Sequence, residues 1–309
     1  MQRTTVLVSS FLVSTIAFSS IAQAQPAPIV GGHKSPAGTW DDVVAVIGKT
    51  GVCSGTLIAP DVVMTAGHCI DTEPYEVITN TTDYARAGGD HIPVKWSRAY
   101  PEWFKRYDVG ILMLEHMARP TPRAIAAACL ANDRLRKASP LTIVGFGLTT
   151  PSGSDDNTEL HEATIPVLDA LCEGDPSCEV AVRPNGEFTA GGRGTDSCFG
   201  DSGGPAFLDT AMGPVLVGVV SRGLALPGQP CGNGGVYVRA DKVVAWAQSV
   251  TERRFTRTTC TGEDRPGDEP GAGEEAGGGC SVAPGSGGVA SLGCIGAGLT
   301  IALRRRRRR

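Results

Sequence analysis

Between residues 29 and 255 the apolar side chains come in short bursts. Val43–Ile47, Thr56–Ile58, Val62–Thr65, Val109–Leu114, Leu141–Val144, Val215–Val220 and Val236–Val238 are rich in Val, Ile or Leu and separated by turn-forming residues. Such runs, too short for helices and rich in β-branched residues, read as strands of a sandwich or barrel. Only one segment has helical spacing. After Asp241, a candidate N-cap, Val243, Trp246, Ala247 and Val250 fall on one face. No heptad or internal repeat interrupts the pattern. The 41 glycines and 21 prolines, about one residue in five, supply the turns that many short strands need. The expected body is all-β with a C-terminal helix. At 41% hydrophobic and 19% charged residues, it has enough apolar material for a real core.

The two ends differ from this body. Residues 1–24 read as a secretory signal peptide: Arg3, an apolar stretch over 6–18, and the small-x-small site Ala22-Gln23-Ala24. Cleavage there leaves a pro-segment, 25–28, before a single-domain-sized body at 29–255. From 256 to 279 apolar residues nearly vanish, and a flexible acidic linker is expected. Residues 280–309 hold Cys280, a Gly-rich run, a weakly apolar stretch and six arginines. The apolar stretch is shorter than a bilayer span. The ten cysteines suit an oxidising, extracellular compartment. The formal charge of −4 includes Arg304–Arg309; without them 22 basic residues face 32 acidic ones, so a nucleic-acid-binding body is not expected.

Three segments carry reactive chemistry. Serine-driven peptide hydrolysis needs a base for the hydroxyl proton, a carboxylate to orient that base, and donors for the oxyanion. Thr65-Ala66-Gly67-His68-Cys69 offers the base. Asp108, at the head of the apolar run Val109–Leu114, offers the carboxylate. Gly200-Asp201-Ser202-Gly203-Gly204-Pro205 offers a serine in a glycine-rich turn, where the backbone can expose Oγ and aim its N–H groups. Alone, His68 would read as structural and Asp108 as a strand-end cap.

Together these segments resemble the chymotrypsin/trypsin family of serine proteases over about residues 29–250. Ile29-Val30-Gly31-Gly32, Cys53-Ser54-Gly55-Thr56-Leu57-Ile58, Ser221-Arg222-Gly223 and Gly235-Val236-Tyr237 extend the match in order. The resemblance implies two six-stranded antiparallel β-barrels with the active site between them. It implies Ser202 as nucleophile, His68 as general acid/base, Asp108 as orienting acid, and the N–H groups of Gly200 and Ser202 as oxyanion hole. It places Asp196 at the base of the primary pocket, with Ser221, Gly223 and Gly235 along its walls, and so implies cleavage after Arg or Lys. It also implies activation by a new amino terminus at Ile29 that pairs with Asp201. Pro28 stands where most relatives have Arg or Lys. The four residues Gln25-Pro26-Ala27-Pro28 form two proline-ended dipeptides, suited to stepwise removal by a processing peptidase. Arg222 departs from the family's usual aromatic residue, and the segment from Leu224 to Pro230 is long.

The same resemblance implies disulfides Cys53–Cys69 and Cys198–Cys231. Cys172 lacks its family partner, since Thr189 occupies that position, and a local Cys172–Cys178 bridge is the expected replacement. A Cys129–Cys260 bridge is left open. Zinc-type spacing with matching histidines is missing, so no metal and no cofactor is expected. The tail resembles the C-terminal sorting signals of myxobacterial secreted proteins, with Cys280 at the processing position; surface retention would follow from it. The resulting expectation is a secreted serine endopeptidase acting on protein or peptide substrates. The alternative class is a catalytically silent binding protein, or an adhesin, built on the same fold at the cell surface.

Overall fold

The structure, a computed structural model, describes residues 28–260 and the two-residue strand at 264–265. The expected signal peptide, residues 25–27 and the segment containing Cys280 lie outside the described residues. A short first strand, β1 (His33–Lys34), precedes β2 (Val43–Gly48), β3 (Val52–Ala59), β4 (Val62–Thr65), β5 (Pro74–Thr79), β6 (Asp90–Ala99) and β7 (Gly110–Leu114). Strands β2 to β7 close into an antiparallel six-stranded barrel in the order β2-β3-β4-β7-β6-β5. A second set follows: β8 (Pro140–Gly145), β9 (His161–Asp169), β10 (Glu187–Ala190), β11 (Pro205–Thr210), β12 (Gly213–Gly223) and β13 (Gly235–Arg239). These close in the order β9-β10-β13-β12-β11-β8 through the β8–β9 pairing, and β1 adds to β9. The two six-stranded barrels expected from the family resemblance are present.

Period-two alternation explains why so many strands are apolar throughout. On β2, Val44 and Val46 fill the first barrel with Leu57, Val63, Val77, Ile92, Leu112 and Leu114. Val43 and Ala45 point the other way. They join Ile58, Met64, Ile111, Phe146, Phe207, Val219 and Val238 in a core shared by both barrels. Ile143, Ile165, Val167, Phe188, Leu208, Val217 and Tyr237 belong to the second barrel's own core. Burying both faces of a strand removes the usual polar side, as the compact apolar runs require.

Among the described residues, two helices of seven and eight residues accompany the barrels. The first, α1 (Ala128–Arg134), was not legible from spacing. The second, α2 (Val244–Thr251), is the expected C-terminal helix; Val243, Val244 and Ala247 are buried against the shared core. Asp241 is not its N-cap. It lies one turn earlier, in the 3-10 segment Ala240–Lys242, and Val243 occupies the cap position without a side-chain bond. The Asp241 carboxylate instead receives both prongs of the buried Arg239 guanidinium, at 2.8 and 2.9 Å.

The folded chain runs on past 255, where composition places the start of a linker. Phe255 and Thr258 are buried, Thr258 N–H donates to the Ile125 carbonyl at 3.0 Å, and Thr258 Oγ1 accepts from Ala127 N–H at 2.9 Å. A Cys129–Cys260 disulfide then ties the segment to α1, deciding the pairing that the sequence left open. The other bridges are Cys53–Cys69, Cys172–Cys178 and Cys198–Cys231. Among the described residues no helix is long and apolar enough to cross a membrane.

Candidate active site

His68 opens the 3-10 turn His68–Thr72 directly beyond β4, and the Cys53–Cys69 bridge fastens that turn to β3. With both sulfurs in that bridge, neither can act as a thiolate ligand beside His68. Gly67 is needed for close approach: a Cβ there would sit 2.7 Å from Trp103 Cβ and 3.0 Å from Asp108 Oδ1. Asp108 is buried just before β7. Its Oδ1 accepts the His68 backbone N–H at 2.9 Å, and its Oδ2 lies 2.9 Å from His68 Nδ1. Burial pushes this carboxyl upward, but bonds from His68 and Ser221 outweigh it and hold the pKa below the ordinary value. With Nδ1 turned to the carboxylate, Nε2 is the nitrogen left for other partners.

Ser202 sits in the turn between Cys198 and β11, lining the same cleft of about 500 Å³ as His68 and Asp108. The turn depends on glycine. Gly200 has φ 94° and Gly203 φ 81°, and a Cβ on Gly203 would lie 2.0 Å from Thr65 Oγ1. Neighbouring amides are committed: Cys198 N–H to Asp201 Oδ2 at 2.8 Å, Asp201 N–H to the Cys198 carbonyl at 3.0 Å, Gly203 N–H to the Val220 carbonyl at 2.8 Å. The N–H groups of Gly200 and Ser202 take part in none of these bonds. Two donors on alternate residues of one glycine turn suit a developing oxyanion.

Asp196 is fully buried six residues before Ser202. Its Oδ1 accepts Ser197 N–H at 2.8 Å and its Oδ2 accepts Gly234 N–H at 2.9 Å. Burial drives its pKa up to about 6, with those backbone bonds opposing the rise. A Cβ on Gly235 would stand 3.5 Å from Asp196 Oδ1 and 3.3 Å from the Arg222 carbonyl; one on Gly223 would stand 3.3 Å from the Pro230 carbonyl. Gly235 keeps space open beside the Asp196 carboxylate; Gly223 lines the cleft, whose lining residues do not include Asp196 or Gly235. Ser221 lines the cleft, but its hydroxyl turns to Asp108 Oδ2 at 2.7 Å.

The cleft also has a rim that motif reading passed over. Trp103, with its ring 6.2 Å from the His68 ring, the exposed Phe199, and Pro230 all line it. Arg222 lines the cleft too and is forked onto the buried Glu187. Nothing in the sequence around Glu187 announces that pairing.

Ile29 is buried, and Val30 pairs with Asp196 through a β-bridge in which Asp196 N–H donates to the Val30 carbonyl at 2.9 Å. Asp201 is buried as well. Its acceptors serve the N–H groups of Gly147 and Cys198, at 2.9 and 2.8 Å. Burial raises its pKa to about 7, again against the backbone bonds.

Two closed barrels with a serine, a histidine and an aspartate gathered in one cleft define a serine endopeptidase. The family model Trypsin matches residues 29–247. A protein named trypsin from Saccharopolyspora erythraea is 34% identical over 226 residues, covering 68% of this chain and 92% of that protein. The chain belongs to the trypsin family of serine proteases.

Proposed function

We propose that this protease cleaves after Arg or Lys with Ser202 as nucleophile. His68 Nε2 takes the Ser202 hydroxyl proton as Oγ attacks the scissile carbonyl. The N–H groups of Gly200 and Ser202 stabilise the oxyanion. His68 then gives the proton to the leaving amine, leaving an acyl-enzyme that water hydrolyses by the reverse sequence of transfers. Asp108 holds His68 in the tautomer that keeps Nε2 free to accept. The observation that carries this reading is the 2.9 Å contact of His68 Nδ1 with a buried Asp108, in the cleft that also presents Ser202. Specificity rests on Asp196, a buried carboxylate that a substrate guanidinium or ammonium would neutralise, with Gly235 beside it and Gly223 in the cleft leaving room for a long side chain.

Export and processing belong to the same proposal. The leader over 1–24 directs secretion, and a processing peptidase removes 25–28 to release the Ile29 ammonium, which pairs with Asp201. The arginines hold the chain end inside during export and are then lost with the apolar stretch, and Cys280 serves as the attachment point that retains the enzyme at the cell surface. Four disulfides suit the extracellular compartment.

Labelling with a serine-directed phosphonate, and P1 profiling of the mature enzyme, test the catalytic reading. Ser202→Ala should abolish labelling and lower kcat by roughly 10⁴–10⁶-fold. Profiling should return Arg and Lys, and Asp196→Ser should erase that preference. Unchanged turnover in the first variant, or aromatic or small residues at P1 in the wild type, would overturn it. For the tail, Cys280→Ala should move the enzyme from the cell fraction to the medium; equal release of both forms with the arginines attached would rule the tether out.

A further inference from the structure

Arg222 is anchored far more heavily than a cleft-lining side chain needs. All five of its N–H donors are engaged. Nε donates to the Ser177 carbonyl at 3.1 Å, and Nη2 to the same carbonyl at 2.7 Å. Nη1 and Nη2 fork onto Glu187 Oε1 and Oε2, both at 2.9 Å. The remaining Nη1 proton goes to Ser221 Oγ at 3.0 Å. Glu187 has no exposed side-chain surface, and its Oε2 also accepts Glu179 N–H at 2.7 Å. Ser177 lies in the loop closed by the Cys172–Cys178 bridge. The guanidinium is thus fixed from two sides by rigid elements, β10 and a disulfide loop.

The strand geometry makes the Ser221 contact possible. Adjacent residues on a regular strand point to opposite faces, so Ser221 and Arg222 should not meet. Here the β12–β13 register shifts: Val220 faces Tyr237 and Arg222 faces Val236, leaving Ser221 as the extra residue. A bulge of this kind re-aims a side chain.

We propose that Arg222, held by Glu187, is a positioning residue for the Asp108–His68 pair, acting through Ser221. This rests on the catalytic roles proposed above for Ser202, His68 and Asp108. A serine hydroxyl has one proton and rotates to suit its surroundings. With the Arg222 N–H filling an acceptor site on Ser221 Oγ, the Ser221 proton is directed to Asp108 Oδ2. That carboxylate then has three fixed donors: the Ser221 hydroxyl, His68 Nδ1–H and His68 backbone N–H. The imidazole inherits its aim from a carboxylate that cannot swing. Lysine could keep the charge opposite Glu187 but not the planar fork that also reaches Ser177 and Ser221.

The test is a double-mutant cycle on kcat and KM, with a peptide amide carrying Arg at P1. Arg222→Gln should lower kcat about tenfold to a hundredfold, because small misplacements of catalytic groups cost that much, with KM little changed. In a Ser221→Ala background the same substitution should change kcat by less than about threefold, since the transmitting hydroxyl is gone. Should Arg222→Gln fail to fold, Arg222→Lys keeps a cation over Glu187 and carries the same cycle, with a smaller loss and the same dependence on Ser221. Equal losses in both backgrounds, a loss confined to KM, or no loss would overturn the proposal. Ser202→Ala in the same assay reports separately on the catalytic reading. Its loss of turnover, together with Arg222 variants at wild-type rate, would defeat only the positioning role.

Discussion

Asp196 is a carboxylate held where ionisation is costly. If Asp196 lines the primary pocket as proposed, its pKa of about 6 means that near neutrality the free pocket carries a negative charge whose burial is costly, and that in mild acid it does not. A cation in the pocket binds the ionised form. Below about pH 6 binding must therefore expel a proton, and affinity falls towards tenfold per pH unit; above it affinity levels off. We expect calorimetry with an aromatic amidine to show this break between pH 5 and 8. Asp196→Asn should lose both the affinity and the break; a flat profile in the wild type would show that the carboxyl is ionised throughout. His68, Asp108 and Ser202 were legible in the sequence only as a set, each in its own motif and in the order a serine hydrolase needs, and Asp196 only through the register of the family resemblance. Glu187 was not. A glutamate next to Phe188 on a short strand has no local mark of burial, and its partner lies 35 residues away. Arg222 was visible as a departure, but its partner became apparent only when β10 and β12 were seen flanking β13 in the second barrel.

Elements divide by which faces they bury. β2 and β7, which contribute to two cores, announce themselves as unbroken apolar runs and were read within a residue or two; β5 and β11 also reach two cores, but with only two or three apolar residues in a row they were passed over. Strands with one solvated face were passed over. On β9, Ala163, Ile165 and Val167 point inward while Thr164, Pro166 and Leu168 are exposed, and the alternation dilutes the signal. On β6 only Ile92 is buried. The short helix α1 had no spacing to read; part of what holds it in place is Cys129, bonded to Cys260 across 131 residues. That bridge closes a long loop in the unfolded chain, and such constraints are worth about 2–5 kcal/mol. The paired substitution Cys129→Ser with Cys260→Ser should therefore lower the melting temperature by roughly 5–15 °C. Because the bridge joins α1 to the end of the body, outside the cleft residues, kcat/KM at low temperature should stay within about twofold. Differential scanning calorimetry and initial rates check the two halves. An unchanged melting temperature would show that the bridge contributes nothing to stability.

At the scale of the whole molecule, the maturation proposed above would couple to stability through one buried group, Asp201. In the chain as it stands, the Ile29 nitrogen is a peptide nitrogen joined to Pro28, and the backbone at Ile29 has φ 38°, unfavourable for a β-branched residue. Asp201 lies buried with backbone N–H groups as its hydrogen-bond donors, and its pKa rises to about 7 against an ordinary 3.8. A carboxyl whose folded pKa is raised favours the folded state fully only below its unfolded pKa; that advantage is lost as pH rises through the folded value. The difference corresponds to about 4 kcal/mol, the order of a large share of a domain's net stability. A chain that starts at Gln25 should therefore lose stability steadily between about pH 4 and pH 7. On the proposed activation pairing, a chain that starts at Ile29 would offer an ammonium to Asp201 and has no φ to strain at that residue, so it should be spared this loss. Both chains are compared in a Ser202→Ala background to prevent self-cleavage. Other titrating groups, Asp196 and the histidines included, are common to both and cancel in the difference between their melting temperatures. That difference should widen from pH 5 to pH 7.5, with the Ile29 form more stable. Asp201→Asn in the longer chain should flatten its pH dependence, because the asparagine amide has no charge to bury. Parallel melting curves for the two chains across this range would show that Asp201 is not the group through which amino-terminal processing stabilises the fold.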